Sequence, residues 1–152
     1  MKYLIFFLTT VILCASEVEI TANKFTADET KGISVFTGNV HVVKGKDDLK
    51  ANKVVVNFDK KKQPTLYTAS GSAKAKLTIN GKSYFAKGDT LIYNPLTLKY
   101  IIKKNAFLQE INSDKKIYGE NISVDQARGY YEVDGKKNEP VKFIFKVKDK
   151  NK

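Results

Sequence analysis

Ala22-Asn23-Lys24-Phe25, Ala51-Asn52-Lys53-Val54, Gly88-Asp89-Thr90-Leu91 and Gly119-Glu120-Asn121-Ile122 are four copies of one pattern. Each is a small residue, two polar residues and an apolar residue, and the copies start 29, 37 and 31 residues apart. Three of them run on as apolar–any–apolar: Val54-Val55-Val56, Leu91-Ile92-Tyr93 and Ile122-Ser123-Val124. A second element recurs as Gly38-Asn39-Val40-His41-Val42 and as Asn105-Ala106-Phe107-Leu108. Recurrence at a period near 30 residues is the mark of one supersecondary unit used several times. Here the unit reads as a strand, a turn and another strand, with the small residue just after the turn so that the backbone can bend sharply. Such a chain is a stacked β scaffold rather than a pocketed enzyme.

Outward from the repeat, alternation dominates and helical periodicity is nearly absent. Phe36, Gly38, Val40 and Val42 share one face of a strand, and Ala73-Lys74-Ala75-Lys76-Leu77-Thr78-Ile79 puts lysines opposite its apolar set. A period of two sends such sets to opposite sides of a sheet. Val54 with Val56, Leu91 with Tyr93, Ala106 with Leu108 and Ile122 with Val124 pair in the same way. Val18-Glu19-Ile20-Thr21 reads as a first strand and Val141 to Val147 as a last one. Turn signals fall between the runs. Asn80-Gly81 is the strongest, since that dipeptide suits a type I′ hairpin. Short strands separated by turns make an all-β sandwich or barrel-like fold. The inward set mixes small residues (Gly38, Ala73, Ala75, Ala106) with large ones (Phe36, Leu77, Tyr93, Leu108). Packed tightly, these rows form a closed core; in an open pair of sheets they form a greasy groove. Periodicity is compatible with both.

At 152 residues the chain has room for one domain. Lys2, the apolar run Tyr3 to Leu13 and the small residues Cys14-Ala15-Ser16 have the layout of a secretory signal peptide. The run has about half the ~20 apolar residues a spanning helix needs, so residues 1–16 are expected to be cleaved after Ser16. A lipid anchor at Cys14 is the rival, opposed by Leu13 where a small residue belongs. The domain is then expected over residues 17–145, with a basic frayed tail over 146–152. Cleavage leaves no cysteine, so the core holds the fold without disulfides. It also removes Lys2 from a net charge of +11, leaving +10. That field favours anionic partners, although all but one of the 27 basic residues are lysine, Arg128 being the exception. Lysine is a poorer bidentate phosphate reader than arginine.

Chemistry-bearing motifs are scarce. His41 is the single histidine, on the strand face opposite Val40 and Val42. One His and no cysteine in the exported chain build neither a nucleophilic triad nor a zinc site. Asp47-Asp48 lacks the spaced oxygens of a calcium loop, and no glycine-rich phosphate loop precedes a helix. The expectation is a non-enzyme with no metal and no cofactor. The Tyr130-Tyr131 pair and the positive charge also suit a basic fold that stacks single-stranded nucleic acid, but export argues for no nucleic acid.

The runs Val35 to Val42, Ala51 to Val56, Gly88 to Tyr93, Asn105 to Gln109 and Gly119 to Val124, in this order, resemble the LptA/OstA family of periplasmic lipopolysaccharide-transport proteins. The similarity covers roughly residues 18 to 133. It implies a single β-jellyroll of two antiparallel sheets, V-shaped and open along one side, with an apolar interior. It implies a periplasmic bridge that passes lipopolysaccharide from the inner to the outer membrane, holding the lipid A acyl chains in a head-to-tail groove. Val18, Ile20, Phe36, Val40, Val42, Val54, Val56, Leu91, Tyr93, Ala106 and Leu108 are the interior positions the resemblance points to. Phe143, Ile144 and Phe145 would form the outgoing edge. That edge would pair with a further copy or with inner- and outer-membrane transport partners, by strand addition. An exported interaction module without lipid cargo, or an anchored inner-membrane LptC-like paralogue, is the alternative reading.

Overall fold

The computed structural model describes residues 17–149; the expected signal segment 1–16 and the tail end 150–152 lie outside the described residues. Ten strands follow one another: β1 Val18–Thr21, β2 Lys24–Asp28, β3 Ile33–Lys44, β4 Asp47–Phe58, β5 Pro64–Ile79, β6 Lys82–Asn94, β7 Lys99–Glu110, β8 Lys116–Asp125, β9 Tyr130–Asp134 and β10 Lys142–Ile144. All pairings are antiparallel between neighbours, in the order β1-β3-β4-β5-β6-β7-β8-β10, with β2 on β3 and β9 on β8. The two expected sheets are thus two leaves of one continuous sheet, folded along a crease that crosses every long strand. The first leaf holds β1, the second half of β3, the first half of β4 and so on to β10. The second leaf runs from β2 to β9.

The crease is written into the repeat. Register slips at Thr37/Val40, Lys50/Lys53, Ser70/Ala73, Lys87/Thr90 and Lys103/Ala106. In β3, β5 and β7 two successive residues take left-handed backbone: Gly38-Asn39 (φ 81° and 45°), Gly71-Ser72 (80° and 50°) and Lys104-Asn105 (63° and 52°). Opposite them stand the small residues of the repeat, in β4, β6 and β8 and between β1 and β2. An extra residue on one strand of a pair kinks and twists the ladder, and five bulges in line fold the sheet on itself. The repeat therefore marks mid-strand bends, not strand starts after turns as its sequence suggests. Gly88 and Gly119 are small for lack of room: a Cβ would stand 2.6 Å from Ile102 Cγ2 and 2.6 Å from Val133 Cγ1. The Asn23 N–H donates to the Gly38 carbonyl at 2.9 Å, tying β1–β2 into the crease.

True turns sit at the leaf tips. Asn80 and Gly81 both have positive φ (50° and 79°), as a type I′ turn requires. Asp59 and Asn94 cap their turns by accepting backbone N–H bonds at 2.8–3.2 Å. The last strand is shorter than the alternation of Val141 to Val147 suggests, because only Lys142, Phe143 and Ile144 find partners in β8. The core lies between the leaves. Val54, Val56, Ile79, Ile102, Leu108, Ile122 and Val124 are all 1–2 % exposed or less, and each fully buried aliphatic contributes ~1.5–3 kcal/mol.

Candidate functional site

Between the leaves runs an apolar trough of about 870 Å³, within the 300–1,000 Å³ typical of ligand cavities. Its floor is set by register. Ile20, Val42, Leu49 and Ala75 form one cross-strand row on the first leaf. Phe36, Val54, Ala69 and Leu91 form the facing row on the second. Alanines in both rows keep the leaves from interlocking. Farther from the crease, Val56, Tyr67, Tyr93 and Tyr100 lie in register. Tyr93 stacks on Tyr100 at 4.4 Å between ring centroids and on Tyr67 at 6.1 Å. Lys44, Asp47, Gln63 and Gln126 add polar groups to the lining. The trough is thus greasy within and wet at the rim, the division amphipathic ligands require.

The tyrosines carry an electrostatic signature of this setting. Burial pushes the pKa values of Tyr67 and Tyr93 up, and raises that of Tyr100 well above the ordinary tyrosine range. Tyr84 is also raised strongly, by burial first and then by its contact with Tyr131. The Tyr84 and Tyr131 hydroxyls, on opposite leaves, lie 3.4 Å apart. Nearby, Asn80 Nδ2 donates to the Gln126 carbonyl at 3.3 Å, again between leaves. These contacts tie the leaves together on the β5–β9 side, where Ile79, Ile102, Leu108 and Ile122 close the interior. The trough lies on the other side, from β1 to Tyr100 at the start of β7.

Of the positions expected inside, Val18, Ile20, Phe36, Val42, Val54, Val56, Leu91 and Tyr93 line the trough. Val40, Ala106 and Leu108 do not line it; they are 1–2 % exposed in the packed interior. Phe143 and Ile144 lie in β10, and Phe145 lies beyond the strand against Phe143, at 5.2 Å between rings. Leu49, Phe58, Tyr67 and Tyr100 line the trough without having been singled out in the sequence. Tyr67 and Tyr100 are found only through pairing, since both stand opposite Tyr93. Among the described residues no cluster of His, Cys, Asp and Glu could hold a metal ion.

A creased antiparallel sheet with an apolar trough between its leaves places the chain in the class of open β-jellyrolls. The family model described as "LptA/(LptD N-terminal domain) LPS transport protein" matches residues 19–130. The chain belongs to that family of lipopolysaccharide-transport proteins. Among solved structures it is similar to LptH from Pseudomonas aeruginosa, described as the LptA-homologous periplasmic component of the conserved lipopolysaccharide transport device. That likeness has a TM-score of 0.75 at 18 % identity and covers 86 % of this chain and 96 % of the other, so it speaks for the fold. No curated protein matches in sequence.

Proposed function

We propose that the protein is a non-catalytic periplasmic bridge for lipopolysaccharide, exported through a cleaved segment at residues 1–16 and folded over residues 17–145. The lipid A acyl chains lie in the trough, and the molecule passes from the inner towards the outer membrane along stacked copies. The trough carries this reading: about 870 Å³ of apolar space with a polar rim suits an amphiphile whose chains are buried and whose head stays wet. Each methylene removed from water contributes ~0.8 kcal/mol. Val18, Ile20, Phe36, Val42, Val54, Val56, Leu91 and Tyr93 form the contact surface in this reading. Val40, Ala106 and Leu108 enter it only if the packed end opens.

The distribution of exposed apolar side chains supports stacking. Val18 and Phe25 are 37 % and 58 % exposed at the β1/β2 border, and Phe143, Ile144 and Phe145 are 53 %, 42 % and 54 % exposed at the β10 end. β1 and β10 each have one paired neighbour in the sheet, and an open edge is a template for another strand. A second copy, or the matching domain of a membrane-held partner, would meet these edges.

A photo-crosslinking residue at Val42, with one at His41 as the outward control, tests the trough. After incubation with lipopolysaccharide, an adduct at Val42 and none at His41 is expected. An adduct at neither in folded protein leaves a closed interaction module as the better reading.

A further inference from the structure

The outer face of the first leaf carries charges that the trough does not use. One cross-strand row, adjacent to the crease, reads His41, Lys50, Lys74, Lys87, Phe107, Tyr118, Lys142 in direct register. Lys50, Lys74 and Lys87 are exposed and stand opposite one another on three neighbouring strands. Like charges directly opposite destabilise a sheet, and adjacent strands are only ~4.8 Å apart. None of the ion pairs among the described residues includes these three lysines. In the next row out, by contrast, Lys76 stands opposite Asp48. The uncompensated ladder is one residue wide and runs parallel to the crease.

The ladder ends in a second feature. A cleft of about 220 Å³ opens on the same face, lined by Lys87, Asn105, Phe107, Tyr118, Glu120 and Lys136. Phe107 and Tyr118 pack at 4.8 Å, with Lys87 Nζ 5.6 Å from the Phe107 ring and Lys142 Nζ 5.3 Å from the Tyr118 ring. Asn105 Nδ2 donates to Asp89 Oδ1 at 3.4 Å, and Lys136 pairs with Glu120 at 3.2 Å. With Glu139 also in its lining, the cleft offers an aromatic wall, an amide, two carboxylates and cations within one small space, so it suits the hydroxyls of a sugar ring while the ladder takes the ligand's charges.

From the ladder and the cleft together, we propose that this outer face binds an acidic polysaccharide, a linear glycan bearing carboxylates. Its charges lie along Lys50, Lys74 and Lys87, and one sugar ring enters the cleft against Tyr118, with hydroxyls to Asn105 and Glu120. A planar anionic surface explains the ladder less well, because the neighbouring row on the same face, with Glu19 and Asp48 against Lys76 and Lys116, carries no net charge. It does not account for a cleft with hydrogen-bonding side chains. The site faces away from the trough, so it stands or falls independently of lipid binding.

The test is the binding of fluorescent polygalacturonate to the purified full chain, at low and raised salt. Neutral dextran, inorganic polyphosphate and phosphatidylglycerol vesicles serve as comparisons. Polygalacturonate is expected to bind most tightly of the four, and more weakly as salt rises. Lys50→Gln/Lys74→Gln/Lys87→Gln is expected to lose roughly tenfold in affinity, as three exposed charge contacts warrant. Tyr118→Ser is expected to lose about fivefold, the worth of a ring contact, with the salt dependence unchanged. The triple variant is expected to melt no lower than the parent, since it removes repulsion, so its loss of binding reads out the site. Polyphosphate binding as tightly as polygalacturonate, or indifference to Tyr118→Ser, would reduce the face to a generic polyanion strip and overturn the proposal. Preference for vesicles, an unaffected triple variant, or no binding to polygalacturonate would overturn it too.

Discussion

Single side chains on the two faces of this sheet are under opposite electrostatic demands. Inside, Tyr100 and Tyr84 hold their protons well beyond the ordinary tyrosine range, chiefly because burial penalises the phenolate. The folded state therefore binds protons that an unfolded chain would release near pH 10. Stability from this source is complete below pH 10 and falls as pH rises above it, towards the raised folded values. Titration followed by phenolate absorbance should show part of the tyrosine signal delayed and arriving with unfolding. Tyr100→Phe should move the onset of unfolding to higher pH. Outside, Lys74 stands between Lys50 and Lys87, and Lys74→Glu replaces two repulsions by two attractions. It is expected to stabilise the fold by about 0.5 kcal/mol in chemical denaturation, an effect that added salt should erase. The alternation of Ala73 to Ile79 already separates lysines from core in the sequence. That three lysines from three strands meet is a property of register, which no single run of residues contains.

At the scale of elements, the informative unit is the bend rather than the strand. The repeat at a period near 30 residues was legible, as were its inward apolar residues and the type I′ turn at Asn80-Gly81. Its role as a crease was not, because a small–polar–polar step looks the same at a turn and at a bulge until the partner strand is known. The middle bend shows this best: Gly71-Ser72-Ala73-Lys74-Ala75 has the glycine–polar–apolar–polar–apolar order of Gly38-Asn39-Val40-His41-Val42 yet reads as plain alternation, and it takes the same pair of left-handed conformations as Gly38-Asn39. A Cβ on Gly71 would lie 2.6 Å from the Asn52 Cβ at a φ of +80°. Gly71→Ala should therefore cost about 1–3 kcal/mol, the range for non-glycine strain, and lower the urea midpoint with an unchanged slope. Ser72→Asn, one residue on at φ 50°, should be close to neutral because asparagine tolerates that conformation. Equal losses at both positions would mean that the crease depends on side-chain packing and not on backbone conformation. The shortness of β10 was likewise hidden, since the alternation of Val141 to Val147 continues past the last residue with a partner in β8.

Taken as a whole, the molecule is open on one side and closed on the other, and this asymmetry bears on movement through it. The trough reaches from β1 to Tyr100 at the start of β7, whereas Leu108, Ile102, Ile122 and Ile79 belong to the buried core beyond it. Two ties, Tyr84–Tyr131 and Asn80–Gln126, hold the leaves there. Both are at the long end of hydrogen-bond geometry, and a net bond of this kind contributes only ~0.5–1.5 kcal/mol. Parting the leaves also uncovers Ile79, Ile102, Leu108 and Ile122, at ~1.5–3 kcal/mol each, so the end opens only as an acyl chain entering between the leaves takes over those apolar contacts. A crosslinker at Leu108 reports on it. In the isolated protein loaded with lipopolysaccharide, the adduct should form at Val42 and be absent at Leu108. The variant Tyr84→Phe/Asn80→Gly cuts both ties, keeps the positive φ that the turn needs and leaves the trough lining untouched, and should bring an adduct to Leu108 while leaving that at Val42 unchanged. If Leu108 stays unlabelled in the variant, the end is a permanent core and passage along stacked copies must bypass it at the rim. If Leu108 is labelled in the parent, loading the trough suffices to part the leaves, and the ties do not restrain them.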